Sequence, residues 1–125
     1  TEQTLNPAQV RSLIQKGTEK LGNNAYTEAI DLFRQALQQD PQQRDAYYNL
    51  GLAHYYLNNF TATVAACQKS LELDNTFANA RYMLALAHYR ANQLDQAEAE
   101  AQQLSAQQDK RAAALLSHIN SARQR

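Results

Sequence analysis

The side chains with the strongest claim to chemistry are Cys67 and three histidines, His54, His88 and His118. Imidazole and thiolate together can hold zinc, and a thiol beside an imidazole can act as a nucleophile. The spacing argues against both. His54 and His88 lie 34 residues apart with no carboxylate or thiolate close to either in sequence, whereas a metal-binding histidine comes with further ligands and with groups that orient it. His118 is isolated near the C-terminus. A single cysteine excludes an intrachain disulfide and a CxxC site, and Cys67 is expected to be a small buried hydrophobe. No GxSxG, HExxH or Walker-type loop is present. No set of nucleophile, base and orienting group can be assembled, so the chain is not expected to be an enzyme or to need a metal or cofactor.

The other notable residues are aromatic. The stretch AYYNLGLAHYYLNNF, residues 46–60, contains four tyrosines in two adjacent pairs. Adjacent residues of a helix point about 100° apart, so this segment carries aromatics on two faces. A surface helix needs only one apolar stripe, and the second face therefore requires an occupant.

The elements that must position these residues are helices. Three glycines and two prolines punctuate the chain, and no segment reads as a strand. Shifting the chain by 34 residues aligns Gly17 with Gly51 and Ala85, and Asn24 with Asn58 and Asn92. Tyr26 then aligns with Phe60 and Leu94, Ala29 with Thr63 and Ala97, and Asp40 with Asp74. A 34-residue period with two helices per unit marks a helical solenoid. The small residues fall where paired helices approach closely, and the asparagines fall between helices, where a left-handed backbone is tolerated.

The pattern resembles the tetratricopeptide repeat (TPR) family, W-x2-L-G-x2-Y, then A-x3-F, then proline. The second repeat reads Tyr47-x2-Leu50-Gly51-x2-His54 and then Thr63-x3-Cys67, with Asn75 in place of proline. The first has a weak opening, Leu13-x2-Lys16-Gly17-x2-Lys20, and a strong second half, Ala29-x3-Phe33 and Pro41. The third reads Arg81-x2-Leu84-Ala85-x2-His88, then Ala97-x3-Ala101. The resemblance implies an all-α, right-handed solenoid of antiparallel helix pairs with about seven helices. Residues 1–6 form an N-terminal extension and 7–125 a single domain. Within it the repeats cover about 10–43, 44–77 and 78–109, and a capping helix covers about 110–124. Asn6-Pro7 supplies an N-cap followed by proline in the first turn.

The resemblance also implies what the second tyrosine face is for. In TPR domains the matching stripe lines a concave groove in which partner peptides lie. Here that stripe is Tyr48, Leu52 and Tyr55, repeated as Tyr82, Leu86 and Tyr89, and in the first repeat as Ile14, Thr18 and Leu21. Asn49 resembles the asparagine that bonds a bound peptide's backbone, and Asn79, Met83 and Arg90 flank the groove in the third repeat. Tyrosine suits such a face, with a large contact area and little rotamer entropy to lose. The implied function is a non-catalytic protein-interaction adaptor that holds an apolar or amphipathic segment, with assembly of a larger complex as one setting. Cover by the chain's own termini and a homo-oligomer interface, through the groove or the C-terminal helix, are the alternatives. TPR domains that hold acidic chaperone tails use a carboxylate clamp of lysines, asparagines and an arginine. The matching positions here are Ile14, Thr18, Asn49, Asn79 and Met83; of the clamp residues only the middle asparagine is kept, at Asn49, and no cation is, so a chaperone tail is not expected.

Lys+Arg and Asp+Glu number 12 each. A neutral chain is a poor match for a phosphate backbone, so nucleic acid is not expected, and an RNA-binding helical repeat is the lesser alternative. No run approaches the ~18 apolar residues of a membrane span, and no membrane contact is expected of this segment. One cysteine fits a reducing compartment and favours a cytoplasmic location. The chain opens on Thr1 without methionine, which reads as a processed or trimmed chain and leaves room for an upstream signal, anchor or domain.

Overall fold

The computed structural model describes residues 6–125; of the N-terminal extension expected at 1–6, all but Asn6 lies outside the described residues. Seven helices follow one another: α1 Pro7–Gly22, α2 Tyr26–Gln39, α3 Arg44–Tyr56, α4 Phe60–Leu73, α5 Ala78–Arg90, α6 Leu94–Ala106 and α7 Arg111–Arg123. There is no strand among the described residues. Each helix packs on the next, giving the pairs α1–α2, α3–α4 and α5–α6. The odd-numbered helices also touch along the row α1, α3, α5, α7, whereas α2, α4 and α6 do not touch one another. The odd row is therefore the inner, concave layer, and the even helices splay apart on the outer face. This is the all-α solenoid expected from the 34-residue period.

Local chemistry explains the repeat. Asn24, Asn58 and Asn92 each have φ of 61–62°, the left-handed region that asparagine enters more readily than most residues. Each turn hands over directly to Tyr26, Phe60 or Leu94, the first residues of α2, α4 and α6. The Tyr26 hydroxyl donates to Asn24 Oδ1 at 3.0 Å and locks the first of these turns. Asn6 accepts from the Gln9 N–H at 3.2 Å and caps α1. Between repeats, Asp40 Oδ1 accepts from Gln42 N–H and Asp74 Oδ1 from Thr76 N–H, each at 3.0 Å, forming Asx turns. The third junction differs. Gln108 takes the left-handed φ of 62°, and Asp109, one residue late in the register, accepts from Arg111 N–H at 2.9 Å.

The small residues of the register face matched partners. A Cβ on Gly17 would lie 2.8 Å from Phe33 Cε1, and one on Gly51 3.0 Å from Cys67 Sγ. In the third repeat Ala85 and Ala101 share a buried cluster with Leu104, Leu115 and Ile119. As the second-helix residue shrinks from Phe33 to Cys67 to Ala101, the first-helix residue grows from glycine to alanine. Thr63, at a position where alanine is usual, donates its hydroxyl to Gly51 O at 3.0 Å, and Ser70 donates to Arg44 O at 3.0 Å. Both hydroxyls are thus satisfied inside the helix pair.

The weak opening of the first repeat has a physical reason. Lys16 and Lys20 stand where Leu50 and His54 pack in the second repeat, but on α1 this face meets no preceding helix among the described residues. Both are exposed, and Lys20 pairs with Glu28 at 3.0 Å. At the other end α7 buries Ala112, Leu115 and Ile119 against the third repeat and leaves Ala113, Ser117, His118 and Asn120 exposed, as a terminal cap requires.

Cys67 is fully buried, and burial pushes its thiol pKa up to about 12. The thiolate is the reactive form. The native protein is therefore expected to leave a chromogenic disulfide reagent unreacted at neutral pH and to release one equivalent of thiol on unfolding. Prompt reaction of the folded protein would refute this placement.

Candidate functional site

The concave layer brings the expected stripe together. Tyr48, Leu52 and Tyr55 on α3 and Leu86 on α5 pack around one buried cluster, and Tyr82, Leu86 and Tyr89 around the next. All six are half-buried. Ile14 and Leu21 continue the row on α1 against the first cluster. Thr18 is exposed and donates its hydroxyl to Ile14 O at 2.8 Å. Asn49 is half-buried and Asn79 exposed. Met83 differs from the groove position assigned to it. It is buried, in contact with Cys67 and Leu84, because the α4–α5 crossing turns it under the floor of the groove.

The tyrosine face is partly covered by residues that helical periodicity does not connect to it. Phe77, just before α5, meets the Tyr48 ring edge-on at 5.4 Å, and the Arg44 guanidinium lies 4.0 Å over Phe77. Thirty-four residues later Arg111 occupies the place of Phe77, with its guanidinium 4.5 Å over the Tyr82 ring. Asp109 holds Arg111 through Nε and Nη2 at 2.9 and 2.7 Å. That fork brings the Asp109 carboxyl down to about 2 and raises Arg111. Burial raises the Tyr48 hydroxyl, and the nearby Arg111 charge opposes it. At the turn end, Arg90 lies 5.6 Å over Tyr55 and 5.1 Å over Phe60. Tyr56, more than half exposed, stacks on Tyr26 at 5.1 Å. The groove therefore has an apolar aromatic floor and an arginine at each end of its α5 wall.

Two of the three histidines are held by amides. His54 Nδ1 lies 3.4 Å from Asn59 Nδ2, and His88 Nδ1 2.7 Å from Gln93 Oε1. Burial and then the Arg34 charge lower the pKa of His54. No group of three or more metal-capable side chains occurs among the described residues, and no helix there is long and apolar enough to cross a membrane.

The seven-helix array and its register agree with known families. Signatures described as TPR repeat, over residues 21–58, and tetratricopeptide repeat, over 45–77 and 66–99, match the chain. The chain belongs to the tetratricopeptide repeat family. No curated protein matches the sequence. Among solved structures this TPR domain is similar to the first TPR of Spaghetti (RPAP3) bound to the HSP90 peptide SRMEEVD, with a TM-score of 0.90, 20% identity, and 97% of this chain and 98% of that one covered. It is similar to the second TPR domain of human RPAP3 in complex with the HSP70 peptide SGPTIEEVD, with a TM-score of 0.85, 19% identity, and 90% and 96% covered. It also resembles the Arabidopsis OM64 TPR domain, with a TM-score of 0.86, 17% identity, and 92% and 97% covered.

These neighbours correct one expectation. The exclusion of an acidic chaperone tail rested on five side chains, Ile14, Thr18, Asn49, Asn79 and Met83, and it does not stand. Two structures that share this TPR fold over nearly its whole length hold such peptides. The physical reason lies in what those five positions omit. The cations of this groove, Arg111 and Arg90, come from the start of α7 and the end of α5, outside the positions that were compared. TPR domains are protein-interaction modules.

Proposed function

We propose that this TPR domain is a non-catalytic adaptor that holds a peptide segment of a partner protein against its concave face. The observation that carries the reading is the half-exposed aromatic row Tyr48, Tyr55, Tyr82 and Tyr89 with Leu52 and Leu86, apolar and contiguous across two repeats. A surface of this kind on a monomer is most often a binding site. Bulky apolar side chains of the partner fill the spaces between tyrosines, and Asn49 and Asn79 offer amides to its backbone. Assembly of a larger complex is the setting such an adaptor serves.

A second reading has its own support. Arg111 over Tyr82 and Arg90 over Tyr55 are cations that an acidic segment can pair with, each charge-assisted bond contributing roughly 1.5–3 kcal/mol. The neighbours bound to SRMEEVD and SGPTIEEVD have acidic occupants.

The test compares the native domain with Tyr48→Glu/Tyr82→Glu in retention of proteins from the native source, followed by titration with SRMEEVD. Proteins retained by the first and lost by a variant of unchanged helicity place the partner on this face. Identical sets reject it. Binding of SRMEEVD that falls at least about tenfold in Arg111→Gln assigns the face to acidic tails, and absence of such binding leaves the apolar segment as the occupant.

A further inference from the structure

The outer face carries a second cleft that the concave groove does not explain. Because α2 and α4 do not touch, a space of about 280 Å³ opens between them, floored by Tyr47, Leu50 and His54 of α3. Ala62, Ala65 and Ala66 form the α4 wall, and Arg34 and Lys69 stand at the rim. We propose that this cleft docks a segment of a partner protein that presents a carboxylate beside a bulky apolar side chain.

The argument comes from the next repeat, where the protein has the same cleft with a different filling. Between α4 and α6 a space of about 410 Å³ is lined by Gln68, Leu84, Arg81 and Glu100, among others. These four stand 34 residues after Arg34, Leu50, Tyr47 and Ala66. There Arg81 and Glu100 pair at 2.7 Å, with side chains only 11% and 24% exposed. The second cleft thus contains its own acid for its own cation. In the first, alanine replaces the acid at Ala66, tyrosine replaces the cation at Tyr47, and the positive charge moves to Arg34 at the α2 edge. Arg34 makes no ion pair among the described residues. Its neighbour Asp31 is occupied by Gln35 at 2.9 Å, and Lys69 has only the long contact to Glu72 at 3.6 Å. What the first cleft lacks relative to the second is a carboxylate, and its alanine-rich wall leaves room for an apolar side chain beside it. Charge and shape both select an acidic-apolar segment. Arg34, Lys69 and Tyr47 then play the part that Arg81 plays for Glu100.

The site is separate from the concave face, so it stands or falls independently of the groove. The probe is the blocked peptide acetyl-Leu-Glu-Leu-amide and its counterpart with glutamine at the centre, titrated against the labelled domain while backbone amide shifts are followed by NMR. The expected result is a set of shifts at Arg34, Tyr47, Leu50 and Ala65, with the glutamine peptide at least about tenfold weaker. Arg34→Gln/Lys69→Gln, a change of two exposed side chains, loses the response. Tyr47→Arg/Ala66→Glu transplants the pair of the next repeat and loses it too, with helicity unchanged by circular dichroism. Tyr48→Glu/Tyr82→Glu leaves it intact. The proposal is overturned by shifts confined to the tyrosine row and Arg111, by equal affinity for the glutamine peptide, by retention in the Arg34/Lys69 variant, or by no shifts at millimolar peptide.

Discussion

Phe33→Ala is expected to lower the unfolding free energy by about 3–5 kcal/mol, the range for removing a buried aromatic ring. Phe33 is fully buried and fills the space left by Gly17, where a Cβ would lie 2.8 Å from the ring. That geometry makes the two residues interdependent. Gly17→Ala alone forces the ring to move, and the clash offsets the roughly 1 kcal/mol that alanine gains over glycine inside a helix. In the Phe33→Ala background the clash is gone. Gly17→Ala then stabilises, because the pair becomes Ala–Ala, the arrangement the third repeat already uses at Ala85 and Ala101. Urea unfolding of the four proteins, followed by circular dichroism, measures the coupling directly. Additive effects would show that glycine at position 17 answers to something other than the Phe33 ring.

Arg81→Ala is expected to cost about 3 kcal/mol, by the reasoning for a largely buried ion pair that loses one partner. Arg81 donates to Glu100 Oε1 at 2.7 Å, to Asn75 O at 2.9 Å and to Asn75 Oδ1 at 3.0 Å. Removing it strands a carboxylate that is three-quarters buried and releases the loop between the second and third repeats. The pair itself is not all gain, since Arg81 Nε is buried without a partner. Arg81→Met/Glu100→Met is therefore expected to recover more than half of the loss, because no charge is left uncompensated. If the double substitution is as destabilised as Arg81→Ala, the loop bonds to Asn75 and not the Glu100 pair carry the stability. One of these bonds also distinguishes Asn75, which stands where the repeat pattern has proline: its Oδ1 gives Arg81 a side-chain acceptor that proline lacks.

Much of this architecture was legible in the chain. The positions of Gly17, Gly51 and Ala85 marked the close helix contacts, and Asn24, Asn58 and Asn92 marked the left-handed turns, because both constraints act on a residue and its near neighbours. Helical spacing likewise identified the row Tyr48, Leu52, Tyr55 and its equivalents. Periodicity determines which residues share a face, and the backbone φ available to a residue determines where a turn can be made. Both are local properties, and the 34-residue register repeats them.

Only the tertiary structure decided what lies across from each face. Phe77 over Tyr48 and Arg111 over Tyr82 join residues that are 29 positions apart, through the entry into the next repeat. Met83 shares a flank with the groove in sequence, yet the crossing of α4 and α5 buries it. Arg111, a cation outside the five groove positions, enters from the start of α7, whereas Arg90 was already at the groove's flank in the sequence. Tyr47, which opens the pattern of the second repeat, floors an outer cleft, because α2 and α4 diverge there. The reason is common to all four. A helical repeat specifies the direction of each side chain within its own helix, while crossing geometry between helices decides whether that direction meets a partner, a cation or solvent.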